Sequence, residues 1–469
     1  MDNAPLPPVL PQAAVPDAPG VVRITPPDWN NKRIFALLWP LVAEQFLIGS
    51  MGFVNMLMAG LIGEHAVSAI SLVEVINFLF VTVFTALATG GAVVASQYIG
   101  RGERKNACCS ARQLVYISTA VSLFFMVFIL VFHRILLRVI YGNLAEDVME
   151  AAQIYFFISA FSFPFLGLYS AAAALFRSMG ISAINMRIAA LVNIINIAAN
   201  IFFIQVLGFG AEGPALATLI GRFTAAFILI FMLLQNSARI IDIKGITNIK
   251  FEPAMIKRIL NIGVPSGLET SMFQFGKILI ARIFTYFGTA AIAGNAAATA
   301  ILSLSFFTGN AFSMGVVTIA GQCIGAGNYH EAKLNTKKLI AATYIFYFVM
   351  NVITFFFHHR LIGFFNLSPQ AHQMAVVFIL IHLVTSTLLF APAFVLPNAL
   401  RAAGDVRYVM IVAASTMWIV RVSAAFIMAF PLGLGPYAVW IAMGADFVFR
   451  SFFFYTRWSR GRWMEKRVI

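Results

Sequence analysis

Apolar runs of roughly twenty residues and more, the length that carries a helix across a bilayer, follow one another along this chain, separated by short polar or glycine-rich breaks. Twelve are readable, near 34–61, 66–98, 108–132, 150–172, 182–206, 213–236, 256–287, 290–324, 334–358, 373–397, 406–430 and 435–456. A barrel strand needs only about ten residues and alternates with period two, so the pattern predicts an all-α integral membrane protein. Composition agrees. The 469 residues are 61% hydrophobic and only 11% charged, where a soluble domain carries about 25% charge. A soluble enzyme, a disordered tail protein and a DNA-binding protein are excluded on that ground. The three cysteines, Cys108, Cys109 and Cys323, fit neither a disulfide framework nor a zinc site.

The net charge of +14, from 32 Lys+Arg against 18 Asp+Glu, is a topology signal in so apolar a chain. Basic residues collect in cytoplasmic segments of membrane proteins. With the N-terminus in the cytoplasm, 24 of the 32 fall on that side. Only Arg134, Arg138 and Arg360 fall opposite, and Arg222, Lys277, Arg282, Arg421 and Arg450 lie within spans or at their ends. Both termini are expected in the cytoplasm of a cell whose inner (plasma) membrane this chain crosses, with the basic excess facing anionic lipid. Residues 1–31, rich in proline and without the layout of a cleaved signal, are expected to form a disordered cytoplasmic tail. Residues 459–469 form a basic one.

The chain also repeats itself. Pro40 and Pro265, Glu44 and Glu269, and Gly63 and Gly288 each stand 225 residues apart. So do Gln97-Tyr98-Ile99-Gly100-Arg101-Gly102 and Gln322-Cys323-Ile324-Gly325-Ala326-Gly327. Arg177 with Gly180 answers Arg401 with Gly404 at 224, and Gly213-Pro214 answers Gly435-Pro436 at 222. Six spans per repeat put both halves in from the same side, as parallel six-helix bundles around a central cavity. The expected division is an N-terminal lobe over 32–237, a cytoplasmic linker over 238–255 and a C-terminal lobe over 256–458. Two lobes of this kind suit alternating access and favour a transporter over a channel or receptor.

Several stretches then resemble the multidrug and toxic compound extrusion (MATE) family over about residues 32–463. They are MGFVNMLMAGLIGEHAVSAISLVEVINFLF and ALATGGAVVASQYIGRG in the first half, and GVPSGLETSMFQFGK, GTAAIAGNA, LPNALRAAGDVRY, WIVR and VWIAMGADFVFRSFFF in the second. The resemblance implies twelve helices in two lobes forming a V-shaped cavity. It also implies export of amphipathic, often cationic organic compounds in exchange for H+ or Na+.

Charges inside spans are the functional candidates, because each costs about 2.5–3.5 kcal/mol at a helix centre on insertion scales. Glu44 and Glu269 each follow a proline by four residues, at mid-depth of the first and seventh spans, and could hold a proton, a cation or a cationic substrate. Hydrogen bonding that merely fixes packing is the plainer reading. Asn55 shares a helix face with Glu44, with Ile48 and Met51 between them. Many members of the resembled family carry an ion-coupling aspartate at the Asn55 position. An amide cannot take up a proton, so Glu74, at comparable depth on the next helix, is expected to supply the acid while Asn55 coordinates or orients. Some sodium-coupled members place acids where this chain has Phe273 and Phe390, which puts a C-lobe sodium site in doubt. Lys277 is expected as a fixed counter-charge to Glu269 or Glu74. Arg222 and Arg421 are expected in structural ion pairs, Asp446 with Arg450 as an i,i+4 pair, and Arg177, Arg401 and Asp405 at loop-orienting helix ends. Asn193, Asn196 and Asn200 stripe the fifth span and read first as interhelical packing. Gln274 is a further cavity candidate, and His382 reads as structural.

No phosphate-binding loop and no H-E-x-x-H occurs, so the expected energy source is an ion gradient rather than ATP, with no cofactor beyond the coupling H+ or Na+. The leading expectation is a secondary antiporter whose partners are small organic substrates, the ion and the lipid bilayer, not nucleic acid. A lipid-linked saccharide flippase of the same superfamily and a membrane-embedded lipid enzyme remain as alternatives.

Overall fold

The computed structural model describes residues 28–142, 145–235 and 240–469. Twelve helices run in the expected order. The N-lobe holds α1 (Asn31–Gly60), α2 (Glu64–Arg101), α3 (Arg104–Tyr141), α4 in two pieces (Glu146–Phe161 and Phe163–Ser178), α5 (Ser182–Val206) and α6 (Glu212–Gln235). The C-lobe holds α7 (Pro253–Tyr286), α8 (Thr289–Gly325), α9 (Tyr329–Gly363), α10 (Pro369–Ala402), α11 (Val406–Ala429) and α12 (Tyr437–Ser459). No strand occurs among the described residues. With α4 taken as one bent span, eleven of these helices are long and apolar enough to cross a membrane. The exception is α7, whose 34 residues include Lys257, Arg258, Glu269, Lys277 and Arg282.

Helices outrun the apolar stretches that announced them. α3 extends from Arg104 to Tyr141 and α9 from Tyr329 to Gly363, because polar residues at a span end are solvated without interrupting the backbone ladder. The fourth span bends by 47° between its two pieces. Pro164 sits in the first turn of the second piece; it has no N–H to donate and its ring crowds the preceding turn. Wider π turns interrupt α5 at Phe202–Val206, α10 at Ala391–Val395 and α11 at Thr416–Val422.

Within the N-lobe α1 lies on α5, and α2 on α3 and α4; within the C-lobe α8 lies on α9 and α10, and α12 on α10 and α11. The lobes join through α2 against α7 and α8, and α1 against α8. Glycines set the closeness of this seam. A Cβ on Gly100 would stand 1.9 Å from the Gln322 carbonyl oxygen, and one on Gly325 would stand 2.0 Å from that of Gln97. These are the same contact made twice, once by each repeat. The amides of the two glutamines cross as well: Gln97 Nε2 donates to the Ala402 carbonyl at 2.6 Å and Gln322 Nε2 to that of Ser178 at 2.7 Å.

The first and last described segments of the chain lie at this seam. Trp29 is buried and donates its indole N–H to Gln322 Oε1 at 3.1 Å, so a packed residue precedes the expected lobe boundary at 32; residues 1–27 of the expected tail lie outside the described residues. The segment after α12 is also folded. A short turn of helix, Arg462–Glu465, buries Trp463 against Trp458 with ring centroids 4.2 Å apart. Val468 packs near Gly404, and the Ile469 carbonyl accepts from Arg101. The linker, too, is clamped. Ile241 and Ile243 are buried, Asp242 pairs with Arg104 at 3.0 Å, and Gln113 and Tyr116 of α3 donate to the carbonyls of Lys250 and Ile246.

Candidate functional site

Glu44 and Glu269 sit in matched surroundings. Each lies roughly 20–25 Å from either end of its helix at 1.5 Å per residue. Arg177, from the end of α4, donates to Glu44 at 3.0 Å; Arg401, from the end of α10, holds both oxygens of Glu269 at 2.6 and 2.7 Å. Glu44 is fully buried and its second oxygen has no hydrogen-bond partner. Arg177 and Arg401 therefore reach past the loops expected of them and neutralise the mid-span acids. The signal was present in the sequence: both repeats carry one acid and one arginine at matched offsets, which is what an intra-lobe pair leaves behind. Asp405 instead pairs with Arg457 at 2.6 Å.

Asn55 belongs to an amide network. It donates to Thr218 Oγ1 on α6 and accepts from Asn200 on α5, both at 3.1 Å, and Asn200 donates in turn to Asn196 Oδ1 at 3.1 Å. Asn193 ties α5 to α1 by donating to the Leu47 carbonyl at 2.9 Å. The asparagine stripe thus packs helices, as its spacing suggested. Glu74 is elsewhere. Its Oε1 accepts from Tyr155 of α4 at 2.8 Å and from Asn77 at 3.0 Å. No hydrogen bond joins Asn55 and Glu74 among the described residues: Asn55 is held by α5 and α6, Glu74 by α4 and by Asn77 of its own helix. Arg222 lies within electrostatic reach of Glu74 without a direct contact. It has no ion pair among the described residues and donates to the Ser162 hydroxyl at 2.6 Å, at the bend of α4.

The C-lobe presents the opposite charge. Lys277, Arg421 and Arg450 lie 6.0, 5.6 and 5.4 Å from the ring centre of Phe273. Asp446 is engaged by Arg450 at 2.8 Å, the expected i,i+4 pair, and Arg421 reaches its other oxygen only at 3.9 Å. Lys277 is exposed and forms no ion pair with Glu269 or Glu74 among the described residues; Arg401 holds Glu269, while Glu74 accepts from the neutral Tyr155 hydroxyl and lies within electrostatic reach of Arg222. Gln274 is half-buried and makes no hydrogen bond among the described residues. Phe390 stacks on Tyr347 at 4.3 Å, and a sodium ion finds no side-chain ligand at it or at Phe273. His382 is fully buried between Phe306 and Trp440. No group of three metal-ligating side chains occurs among the described residues.

Hydrogen bonds between lobes lie in the half of the molecule that holds the termini, and the last ring contact between them is Phe46 with Phe307, at 6.2 Å. Two parallel six-helix lobes, seamed at one face and carrying ionisable groups at mid-depth, define a membrane transporter rather than an enzyme. The chain belongs to the MatE family, whose model matches residues 40–202 and again 265–427. The two matched segments stand 225 residues apart, the offset of the internal repeat. Among curated proteins, the chain is 26% identical to the probable multidrug resistance protein NorM of Thermotoga maritima, over 94% of each chain. It is 25% identical to the uncharacterized transporter YisQ of Bacillus subtilis, over 92% of this chain and 95% of that one. Among solved structures, a MATE family multidrug resistance transporter in an outward-facing conformation aligns with a TM-score of 0.86 at 17% identity, covering 92% of this chain and 95% of the other. A MOP superfamily transporter from Pyrococcus furiosus, described as having a binding pocket of reverse polarity, aligns with the same score and identity, over 93% and 97%. At that identity the structures speak for the fold alone.

Proposed function

We propose that the chain is a secondary active antiporter that exports amphipathic organic compounds in exchange for H+ or Na+. The observation that carries this reading is the seam itself: the lobes lock together at the face holding Trp29 and the C-terminal segment and make no described polar contact beyond mid-depth. With the basic excess of the sequence on that face, the sealed side is cytoplasmic and the structure is outward-facing. Rocking the lobes to exchange one sealed face for the other is alternating access. The multidrug names of the curated relatives support export as the direction of transport.

Glu74 is the coupling acid in this reading. Asn55, Asn196 and Asn200 cannot release a proton, while Glu44 and Glu269 are each held in a direct ion pair by an arginine; Arg222 acts on Glu74 without such a contact among the described residues. Cationic substrates, the class implied by the family resemblance, would be drawn to Glu74 in the N-lobe. The test is efflux in proteoliposomes with Na+ and pH gradients imposed separately. One gradient should drive substrate accumulation, and Glu74→Gln should abolish that coupling. Flux insensitive to both gradients overturns antiport; undiminished ion-coupled efflux in the variant overturns the role of Glu74.

A further inference from the structure

Between Pro253 and the C-terminus the chain has five acids, Glu269, Glu331, Asp405, Asp446 and Glu465. Glu269 faces Arg401 and Asp405 faces Arg457. Glu331 lies in the first turn of α9 and Glu465 beyond α12, both at the terminal face. Asp446 is therefore the one acid of the C-lobe's other half, against Lys277, Arg421 and Arg450. Three cations around one ring with a single carboxylate leave an excess of two positive charges inside the lobe. Cation–π attraction to Phe273 offsets only part of that repulsion.

The unpartnered buried groups point the same way. Arg421 Nε, Trp418 Nε1 and Trp440 Nε1 are buried without a hydrogen-bond partner, and all three can only donate. Arg421 and Trp418 stand together on the π turn Thr416–Val422 of α11, a distortion that recurs at functional sites. Trp440 packs on His382 with ring centroids 5.8 Å apart. The buried acceptors left without a partner here are Asp446 Oδ2, which Arg421 reaches only at 3.9 Å, and the His382 ring nitrogens, so a single carboxylate still faces three cations and the cluster stays short of negative charge. Lys277 is exposed, whereas the Arg421 side chain is only 11% exposed, so the cluster runs from an accessible rim to a buried floor.

We infer that Lys277 and Arg421 form a binding site for the anionic group, a carboxylate or sulfonate, of an amphipathic solute. The Phe273 ring supplies an apolar wall beside the charge. The site deepens the transport reading, on which it rests only for the ligand being cargo. The polarity of the two lobes then differs: Glu74 in one, and in the other Lys277 and Arg421, which share with Arg450 only the Asp446 carboxylate.

Binding needs no gradient, so it separates this inference from antiport. The full chain in phosphatidylcholine nanodiscs is titrated with naphthalene-1-sulfonate and with the matched cation 1-naphthylmethylammonium, read by tryptophan fluorescence. The sulfonate should bind at least tenfold more tightly. Lys277→Gln and Arg421→Gln should each weaken it tenfold or more, while Lys277→Arg should restore most of the affinity. Phe273→Glu, which supplies a carboxylate to the three cations from within, should remove sulfonate binding without loss of the folded, monodisperse protein, and keeps the inference testable if a charge-removing variant fails to fold. Loss of sulfonate binding on adding phosphatidylglycerol would support the site and identify a lipid phosphate as its occupant. Equal affinity for the two probes, or sulfonate binding unchanged in Lys277→Gln and in Phe273→Glu, would overturn the inference; the latter is the behaviour of a lysine that merely reaches for the membrane surface.

Discussion

The Arg177 guanidinium meets the Glu44 carboxylate at 3.0 Å inside the N-lobe, across a chain separation of 133 residues. Arg401 and Glu269 repeat that meeting in the C-lobe. Both pairs pin the end of a bent or interrupted helix, α4 or α10, to the middle of a proline-bearing one.

Removing one member of a buried pair leaves an unbalanced charge, which costs about 3–5 kcal/mol. Arg177→Met should lower thermal stability by that order, and Glu44→Gln added to it should return a large part of the loss. Unfolding midpoints of the purified chain in detergent read both outcomes. An additive double variant would mean that the two residues do not sense each other.

The glycine seam makes a conformational prediction. A side chain at Gly100 or Gly325 must displace backbone, so Gly100→Ala should shift the population toward a state opened at the terminal face. Spin labels at Lys105 and Lys337, both exposed, in a background lacking the three native cysteines, should report a longer distance in the variant. An unchanged distance distribution would show that the seam absorbs the methyl group.

Trp463 fills a buried site after α12. Trp463→Ala should destabilise the chain by about 3–5 kcal/mol, the usual cost of deleting a large buried aromatic side chain. Chain truncated after Ser459 should lose at least as much, measured by the same thermal unfolding. A neutral truncation would make the segment a passive tail after all.

The amide network around Asn55 makes a last prediction. Asn55→Asp would place a carboxylate beside the Thr218 hydroxyl and Asn200, oxygen and amide groups suited to a bound ion. In a Glu74→Gln background this change should restore ion-coupled efflux in proteoliposomes. No recovery would mean that the N-lobe couples through Glu74 alone.

The fold was almost wholly legible, because apolar runs and a constant repeat offset survive in the residues themselves. Twelve helices and the i,i+4 pair of Asp446 with Arg450 rest on local spacing, and the two lobes on the repeat offset. What escaped was non-local. The meeting of Glu44 with Arg177, 133 residues apart, follows no local spacing rule and shows only as an acid and an arginine kept at matched offsets in both repeats. The folded linker and C-terminal segment were hidden by their polarity: a few buried residues, Ile241, Ile243 and Trp463, order them in spite of it. Glu74 and Asn55 have similar depths on consecutive helices, yet depth says nothing about which way each side chain turns.

The doubled contact of Gly100 on Gln322 and Gly325 on Gln97 has the form of a symmetric dimer interface, in which one patch meets its own copy. Such a surface is self-complementary, so each lobe carries the whole recognition code for the other. The covalent linker then contributes proximity and not specificity. Two separately synthesised halves, divided within the linker, should find each other in the membrane and rebuild the same seam.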